Sequence, residues 1–197
     1  MLTLGQGKRL INLAREAISS HFDKKKLNVD RAIKEGFSSN MGAFVTLNKG
    51  KELRGCIGFP EPIYPLYDAV IKAATGAAFS DPRFMQLEKE ELDKITVEVS
   101  VLTPPAIIEV RNPEDIIKKI KVGRDGLLVR GIFNSGLLLP QVAVEYKWNA
   151  ITFLQQTCVK AGLEPNIWRD FDKCRVYKFE GQVFSEQSPN GEVKQIM

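Results

Sequence analysis

Apolar residues recur along the first half of the chain with two different periods. Near the start, Leu10, Leu13, Ala14, Ala17 and Ile18 are spaced as on one face of a helix, which predicts an amphipathic helix over about residues 4–21. "GAFVTLN" and "ELRGCIGF" then alternate as strands around the turn sequence "NKGK". An alanine-rich helix, "LYDAVIKAATGAAF", and a further alternating strand, "ITVEVSVL", complete this half.

The second half shows a similar order of elements. "DGLLVR" and "GLLLP" are predicted strands, "AITFLQQTCVKAG" a helix, and "CRVYKFEGQVF" a strand, with an additional short helix at "NPEDIIKKI". The pattern predicts an α+β fold, in a single domain of two packed subdomains with cores at about 42–102 and 120–184. A duplicated strand–strand–helix–strand unit, with the first helix outside it, is one explanation; ordinary α+β alternation is the other.

Composition narrows the classes of protein without naming a function. The 197 residues are 44% hydrophobic and carry a formal net charge of +4, which is ordinary for a globular chain with a substantial core. No apolar run reaches membrane-spanning length, and the N-terminus lacks the pattern of a signal peptide. Three cysteines without CxxC spacing favour a reduced, cytoplasmic protein, and we predict no metal site and no cofactor.

The stretch around Cys56 contains the strongest candidate chemistry. Glycine weakens a strand, so Gly55 and Gly58 mark either a place where a ligand can approach the sulfur or a close packing contact of the backbone. The guanidinium of Arg54 would favour the thiolate form of a neighbouring cysteine. Alternation places Arg54 and Cys56 on one face of the strand only if no bulge intervenes.

Four other residues are candidates to line the same site. Asp81 and Arg83 follow the alanine-rich helix, where they can point into a cleft or form a surface ion pair. Glu98 lies on the face of its strand opposite the valines, toward either a cleft or solvent, and Gln141 stands where a helix begins, as a cap or a ligand contact. A Cys–His pair would require His21, the only histidine of the chain.

The basic stretches "DKKK" and "IKKIKVGR" suggest a nucleic-acid surface only weakly. Neither stretch interleaves aromatic residues with its charges, as proteins that bind single strands do. "GRDG" indicates a hairpin turn, since no phosphate-loop pattern follows it.

Several motifs together resemble the AMMECR family. They are "MGAFVTLN", "LRGCIGF", "DPRF", "VEVSVLTPP", "VGRDGLLV", "GLLLPQVA" and "TCVKAGL", and "LRGCIG" is the family's hallmark. The chain is similar to a compact archaeal member over about residues 8–185. The resemblance implies two α+β subdomains with the hallmark near the cleft between them. It also implies a family without an established activity, whose relatives are fused to or encoded beside Memo-like and radical S-adenosylmethionine (SAM) proteins.

Three functions therefore stay open at this stage. In the first, the chain is a cysteine-dependent enzyme of a modification pathway; Cys56 is its nucleophile, Arg54 the electrostatic partner, and Glu98 or Asp81 the acid or base. In the second it is a binding module, in which a ligand or peptide lies against the glycine-containing strand. In the third it is a weak nucleic-acid binder. Gly55, Gly58, Arg83 and Gln141 are the predicted ligand contacts.

Overall fold

The computed structural model describes every residue from Met1 to Met197, and it confirms the predicted α+β class. The helices are α1 (Leu4–Phe22), α2 (Arg31–Gly36), α3 (Leu66–Phe79), α4 (Asp115–Lys119), α5 (Pro140–Glu145) and α6 (Ala150–Lys160). The strands are β1 (Gly42–Lys49), β2 (Glu52–Phe59), β3 (Ile95–Leu102), β4 (Ala106–Ile107), β5 (Asp125–Arg130), β6 (Ser135–Leu138), β7 (Arg175–Glu186) and β8 (Val193–Gln195). The chain divides into two compact units. Unit 1 comprises residues 1–102 and 182–197, and unit 2 comprises residues 103–181.

Unit 1 is built on the β1–β2 hairpin. β2 and β3 pair antiparallel with opposite edges of β1, so that β2 is an edge strand of this group. Alternate residues such as Val45, Leu47 and Val97 are fully buried in one core with α1 and α3. The opposite face of the three strands carries the polar positions of the alternation, and the candidate cysteine lies on that face.

A buried ion pair fixes the first helix to the strands of unit 1. Arg15 donates from Nε and Nη2 to the two carboxylate oxygens of Glu186, each at 2.7 Å. The same guanidinium donates to the carbonyls of Leu92 and Ile95, and Glu186 also accepts from the Val97 amide at 2.9 Å. Because every charged group of this cluster has partners, its burial is tolerated and the helix orientation is specified.

Unit 2 has the strand order of unit 1. Its hairpin is β5–β6, helix α6 follows, and the first half of β7 pairs antiparallel with β5 on the edge opposite β6. The spatial order is β2–β1–β3 in unit 1 and β6–β5–β7 in unit 2. In both, the first strand of the hairpin lies between the other two, as the duplication hypothesis requires. The duplication itself, and the assignment of both sets to one domain, remain predictions.

Some local structure departs from the sequence-based expectations. Strands β4 and β8 were not predicted; both are short, and each pairs with β7. "GRDG" is not a hairpin turn, because the element before β5 is helix α4 and not a strand that pairs with β5. The Asp125 carboxylate accepts from the Lys121 amide and from Arg124, so it fixes the loop that enters the strand. None of the helices combines the length and apolar character needed to cross a membrane.

Candidate functional site

The β1–β2 hairpin contains a bulge that changes the direction of Arg54. Asn48 pairs with Leu53, whereas Leu47 pairs with Gly55, so Arg54 is the extra residue of β2 at the register shift. The condition under which Arg54 and Cys56 would share a face is therefore not met. Beyond the bulge the register is regular, and Thr46 pairs directly with Cys56.

Thr46 provides the polar contact at the sulfur of Cys56. Its hydroxyl lies 3.2 Å from Cys56 Sγ, close enough for a hydrogen bond in either direction. The Cys56 amide donates away from β1, so Thr46 and Cys56 form a non-hydrogen-bonded pair, the type in which facing side chains lie closest. Cys56 is a free, half-buried thiol, whereas Cys158 and Cys174 are buried.

Asp81 and Arg83 occupy the outer edge of β2 at Cys56. Asp81 Oδ2 accepts from the Cys56 amide at 2.8 Å, and Arg83 Nη2 donates to the Cys56 carbonyl at 3.2 Å. The Arg83 guanidinium also binds both carboxylate oxygens of Asp81, at 2.9 and 2.7 Å. Together these two side chains satisfy the backbone groups that an edge strand leaves open.

The electrostatics of this pair follow from its hydrogen bonds. The Arg83 side chain, with the amides of Cys56 and Arg83, holds the pKa of the buried Asp81 carboxyl far below its usual range. Hydrogen bonding to Asp81 raises the pKa of Arg83, and the charge of the Cys56 side chain acts in the same direction. Arg83, rather than Arg54, is thus the cation that interacts with Cys56.

Arg54 instead secures the loop that carries Asp81 and Arg83. Its Nε and Nη2 bind the carboxylate of Glu91 at 3.1 and 2.9 Å, and it also donates to the carbonyls of Met85 and Gln86. Hydrogen bonding to Arg54 lowers the pKa of Glu91 to about 2, so the pair stays ionised. The predicted electrostatic contact of Arg54 with the sulfur is replaced by this loop contact, because the bulge redirects the side chain.

Glu98 lies on the same sheet face as Cys56, with strand β1 between them. Thr46 pairs with Cys56 on β2 and with Glu98 on β3, so the three side chains form a row across the sheet. Burial raises the pKa of the half-buried Glu98 carboxyl, and hydrogen bonding to the Ser185 side chain opposes this increase. Glu98 is therefore neither a solvated surface group nor an ion-paired one.

The glycines next to Cys56 are explained by packing within unit 1. A Cβ at Gly55 would lie 2.1 Å from the carbonyl oxygen of Ala77 in α3, so the helix backbone occupies that space. A Cβ at Gly58 would lie 2.3 Å from the ring of Phe44 and 2.5 Å from the Ala43 carbonyl. The alternative in which the glycines accommodate a close backbone approach thus accounts for both positions.

Gln141 and His21 are the remaining predicted residues. Gln141 lies in α5 of unit 2, and its Oε1 atom is buried without a hydrogen-bond partner, so it does not cap the helix. His21 stacks on Phe79 with ring centroids 4.0 Å apart. No group of three or more His, Cys, Asp or Glu side chains in the chain is arranged to hold a metal ion.

Sequence reasoning missed three residues of this arrangement: Thr46, Glu91 and Ser185. The position of Thr46 on the polar face follows from the alternation in "GAFVTLN", and hairpin pairing would have placed it near Cys56 had the bulge been known. Glu91 and Ser185 carry no such signal, because they reach Arg54 and Glu98 only through the tertiary fold.

The chain is similar to known proteins over most of its length. The AMMECR1 family model matches residues 11–184. "Protein MK0488" of Methanopyrus kandleri is 48% identical over 197 residues, covering 98% of this chain and 95% of that protein, and "Protein PF1979" of Pyrococcus furiosus is 51% identical, covering 95% and 91%. The crystal structure of uncharacterized protein PH0010 from Pyrococcus horikoshii matches with a TM-score of 0.83 and 48% identity, covering 97% of this chain and 96% of that one. These names state no activity.

Proposed function

We propose that this chain, which belongs to the AMMECR1 family, is a cysteine-dependent enzyme whose nucleophile is Cys56. One observation carries the proposal: Cys56, Thr46 and Glu98 form a row on one polar sheet face. A half-buried thiol, a hydroxyl in contact with it and a carboxyl of raised pKa are groups that nucleophilic catalysis uses.

Cys56 would act by attacking an electrophilic carbon of the substrate. A carbon–sulfur bond forms, and the bond to the leaving group breaks as that group takes a proton. Water or a second substrate then attacks the same carbon, the carbon–sulfur bond breaks, and the cysteine is regenerated. Arg83 supports the attack, because Asp81 holds its guanidinium beside Cys56, where it donates to the carbonyl of that residue. An exposed guanidinium is also suited to anchor an anionic group of the substrate.

Glu98 is the proposed general acid. Burial raises its pKa, so it retains a proton at a higher pH than an ordinary carboxyl and can donate it to the leaving group. With one strand between them, the backbones of Cys56 and Glu98 are roughly 10 Å apart, given a strand spacing of about 4.8 Å. In this proposal the reacting group of the substrate lies over Thr46, between the nucleophile and the acid.

We assign Asp81 a positioning role instead of the role of a general acid or base. A carboxylate that accepts bonds from Cys56 and Arg83 with both oxygens, and whose pKa is strongly lowered, stays ionised near neutrality. It fixes the cysteine backbone and orients the Arg83 side chain. Arg54 acts one step further away, through the loop.

The same contacts favour an enzyme over a module that binds peptides by strand addition. Such binding needs free amide and carbonyl groups along an edge strand. At Cys56 both backbone groups are already bonded, to Asp81 and Arg83, and the space beside Gly55 is occupied by Ala77. A peptide would have to displace these contacts to lie along β2.

The wider setting is proposed from the family resemblance. We propose that the enzyme acts in the cytoplasm, in a modification pathway with Memo-like and radical SAM proteins. Its three free cysteines are compatible with a reducing compartment. Sedimentation of purified mixtures of the chain with each protein tests the partnership; an unchanged sedimentation profile in every mixture contradicts it.

Alkylation of the native protein tests the nucleophile. We expect iodoacetamide to modify Cys56 in the folded chain, while Cys158 and Cys174 react only after unfolding, because they are buried. Peptide mass spectrometry measures the rate at each cysteine. Substitution Arg83→Gln should slow Cys56 alkylation several-fold, whereas Arg31→Gln, which removes an exposed cation paired with Glu35, should not.

Two outcomes of this experiment would count against the enzyme. Absence of alkylation at Cys56 until the protein unfolds would make the thiol a packing residue. Once a turnover assay exists, Cys56→Ser should abolish activity; retained turnover would exclude covalent catalysis by this residue.

A further inference from the structure

β6 is the outermost strand of the sheet in unit 2, and one of its edges is free. Its only strand partner is β5, and the Gly131 amide donates to the Asn134 carbonyl across the turn that joins the two strands. Backbone groups alternate in direction along an antiparallel strand, so every second residue from Asn134 bonds β5. The residues between them, Ser135 and Leu137, therefore point their amide and carbonyl groups to the free edge.

The free edge of β6 differs from the edge of β2 at Cys56. On β2 the open backbone groups are bound by Asp81 and Arg83. On β6 no side chain binds the outward groups of Ser135 or Leu137. Unpaired groups of this kind are the ones to which a further strand can add.

Two cavities lie at the two ends of β6. The first has a volume of about 250 Å³, and its lining includes Phe133 and Leu163. The second has a volume of about 400 Å³, and its lining includes Leu138 and Val159. Most of the lining side chains are apolar, so each cavity is suited to an aliphatic or aromatic side chain of a ligand.

Several apolar side chains that line the cavities are exposed to solvent. Phe133 and Ile132, at the turn before β6, are 96% and 68% exposed, and Val159 of α6 is 48% exposed. At the second cavity, Tyr146 is 65% exposed and stacks on Trp148 with ring centroids 4.9 Å apart. Clustered apolar exposure marks interaction sites. Beside an unpaired strand edge, it indicates a surface to which a further strand binds.

The spacing of the cavities fits an extended peptide. The first cavity reaches Asn134 and the second reaches Leu138, and four residues of a strand span roughly 13 Å. Side chains i and i+4 of an added strand lie on one face at this separation. Between the cavities the end of α6 closes the face, because a Cβ at Gly136 would lie 2.4 Å from the Ala161 amide nitrogen. The residue midway between the two anchors is therefore expected to be small.

The charges at the cavities favour an acidic peptide. Lys173 lines the first cavity, Lys160 lines the second, and neither lining includes an acidic side chain. Lys160 has no ion pair. Lys173 binds Asp170 at 2.8 Å, but both side chains are partly exposed, so this pair contributes little and leaves the ammonium able to bind an added carboxylate. Acidic residues next to the two anchors would therefore be bound favourably.

We propose that the free edge of β6 is a docking site for an extended acidic peptide segment of a partner protein. The segment adds to β6 as a further strand, with apolar side chains at positions i and i+4 in the two cavities and acidic residues next to them. The site lies in unit 2, whereas Cys56 lies in unit 1. Docking at β6 does not depend on catalysis by that cysteine, so Cys56→Ser should bind the peptide as the wild type does.

A second copy of this chain fits the edge less well than an acidic peptide does. If two copies paired antiparallel through β6, the end of one strand would face the start of the other. The second cavity of each copy would then lie near the first cavity of the other, which brings Lys160 of one copy toward Lys173 of the other. Like charges that face each other disfavour this pairing.

Fluorescence anisotropy with a labelled synthetic peptide tests the site. The probe is Glu-Leu-Glu-Ala-Glu-Leu-Glu, which has leucines at i and i+4, an alanine midway and acidic residues next to each anchor. We expect saturable binding to the full chain below about 1 mM peptide. A peptide with lysine in place of every glutamate should bind at least several-fold more weakly. The probe with a methyl group on every backbone amide should bind roughly tenfold more weakly, because it cannot pair with the edge.

Variants of the protein test whether the peptide binds at β6. Leu137→Pro removes an amide that points to the free edge and leaves the bonds to β5 in place, so it should weaken binding roughly tenfold. Lys160→Glu should weaken binding several-fold, whereas Lys51→Glu, which changes an exposed lysine of unit 1, should leave it unchanged. If circular dichroism shows that Leu137→Pro does not fold, the methylated peptide, which needs no variant, decides whether the edge is used.

Several results would overturn the proposal. They are no binding of the acidic probe up to about 1 mM, equal binding of the acidic and the basic peptide, equal binding of the methylated and the unmethylated probe, and wild-type affinity in folded Leu137→Pro. Sedimentation of the purified chain gives a further test. A dimer that Leu137→Pro dissociates would assign the edge to a second copy of this chain and so contradict a peptide partner.

Discussion

Replacing Asp81 with asparagine tests whether this side chain holds Cys56 and Arg83 in place. The Asp81 side chain is 2% exposed, and its carboxylate accepts four hydrogen bonds, from the Cys56 amide at 2.8 Å and from the Arg83 amide, Nε and Nη2 at 3.1, 2.9 and 2.7 Å. Asparagine has the same shape but only one acceptor oxygen, so its NH2 group must face two donors in either orientation.

The expected loss comes mainly from the backbone amides. Arg83 is half exposed and can turn toward water, so its lost bonds contribute little. A buried amide left without an acceptor costs roughly 1–3 kcal/mol, and loss of a charge-assisted bond adds to this. We therefore expect Asp81→Asn to lower the free energy of unfolding by about 2–4 kcal/mol, or Tm by roughly 4–16 °C.

Urea unfolding followed by circular dichroism measures the loss, with Asp23→Asn as the matched control. Asp23 also forms a short ion pair, with Lys89 at 2.9 Å, but its side chain is 40% exposed and bonds no backbone amide. The control should leave Tm unchanged. Equal Tm values for wild type and Asp81→Asn, or equal losses in both variants, would refute the reasoning from burial.

The pH dependence gives a second reading of the same variant. The folded-state pKa of Asp81 lies below its unfolded value of about 3.9, chiefly because Arg83 binds the carboxylate. The stabilisation is therefore fully present above the unfolded pKa and is lost as pH falls toward the folded one. The stability difference between wild type and Asp81→Asn should be constant above about pH 5 and shrink below pH 4. A difference that grows in acid would contradict the sign.

Two further substitutions test packing and the environment of the proposed acid. Gly55→Ala should cost about 3 kcal/mol or more in urea unfolding, because its Cβ would lie 2.1 Å from the Ala77 carbonyl oxygen, whereas Gly5→Ala, whose nearest atom is 3.9 Å away, should be neutral or stabilising; similar effects of the two would contradict the contact. Ser185→Ala should raise the pKa of Glu98 further, since the Ser185 hydrogen bond opposes the effect of burial; carboxyl-carbon NMR titration measures it, and a fall in pKa would contradict this account.

The strand and helix order could be predicted because it depends on local periodicity. Alternation in "ITVEVSVL" and helical spacing from Leu10 to Ile18 are strong signals, and the structure has β3 and α1 at those places. β4 and β8 gave no signal, because strands of two and three residues are too short to show a period. Their pairing with β7 is a tertiary contact.

The candidate residues could be named from sequence, but the contacts between them could not be assigned. Gly55 packs against the backbone of α3. Because of the bulge beside Gly55, Arg54 binds the loop that contains Glu91 and does not lie beside the sulfur of Cys56, as regular alternation would predict. Likewise, Asp81 and Arg83 were candidates by position alone, and only folding of the loop shows that they bind the Cys56 backbone. Where side-chain direction depends on one extra residue, periodicity alone cannot decide it.

The contacts of Arg54, Gly55 and Cys56 in "LRGCIG" depend on one another. Gly55 lets α3 approach β2, and the bulge that precedes it turns Arg54 toward the loop, where Glu91 binds it. That loop places Arg83 against the backbone of Cys56, so the cation that contacts Cys56 comes from another part of the chain. On this account Arg54 influences Cys56 only through the loop, so its substitution can affect Cys56 although the two side chains are not in contact.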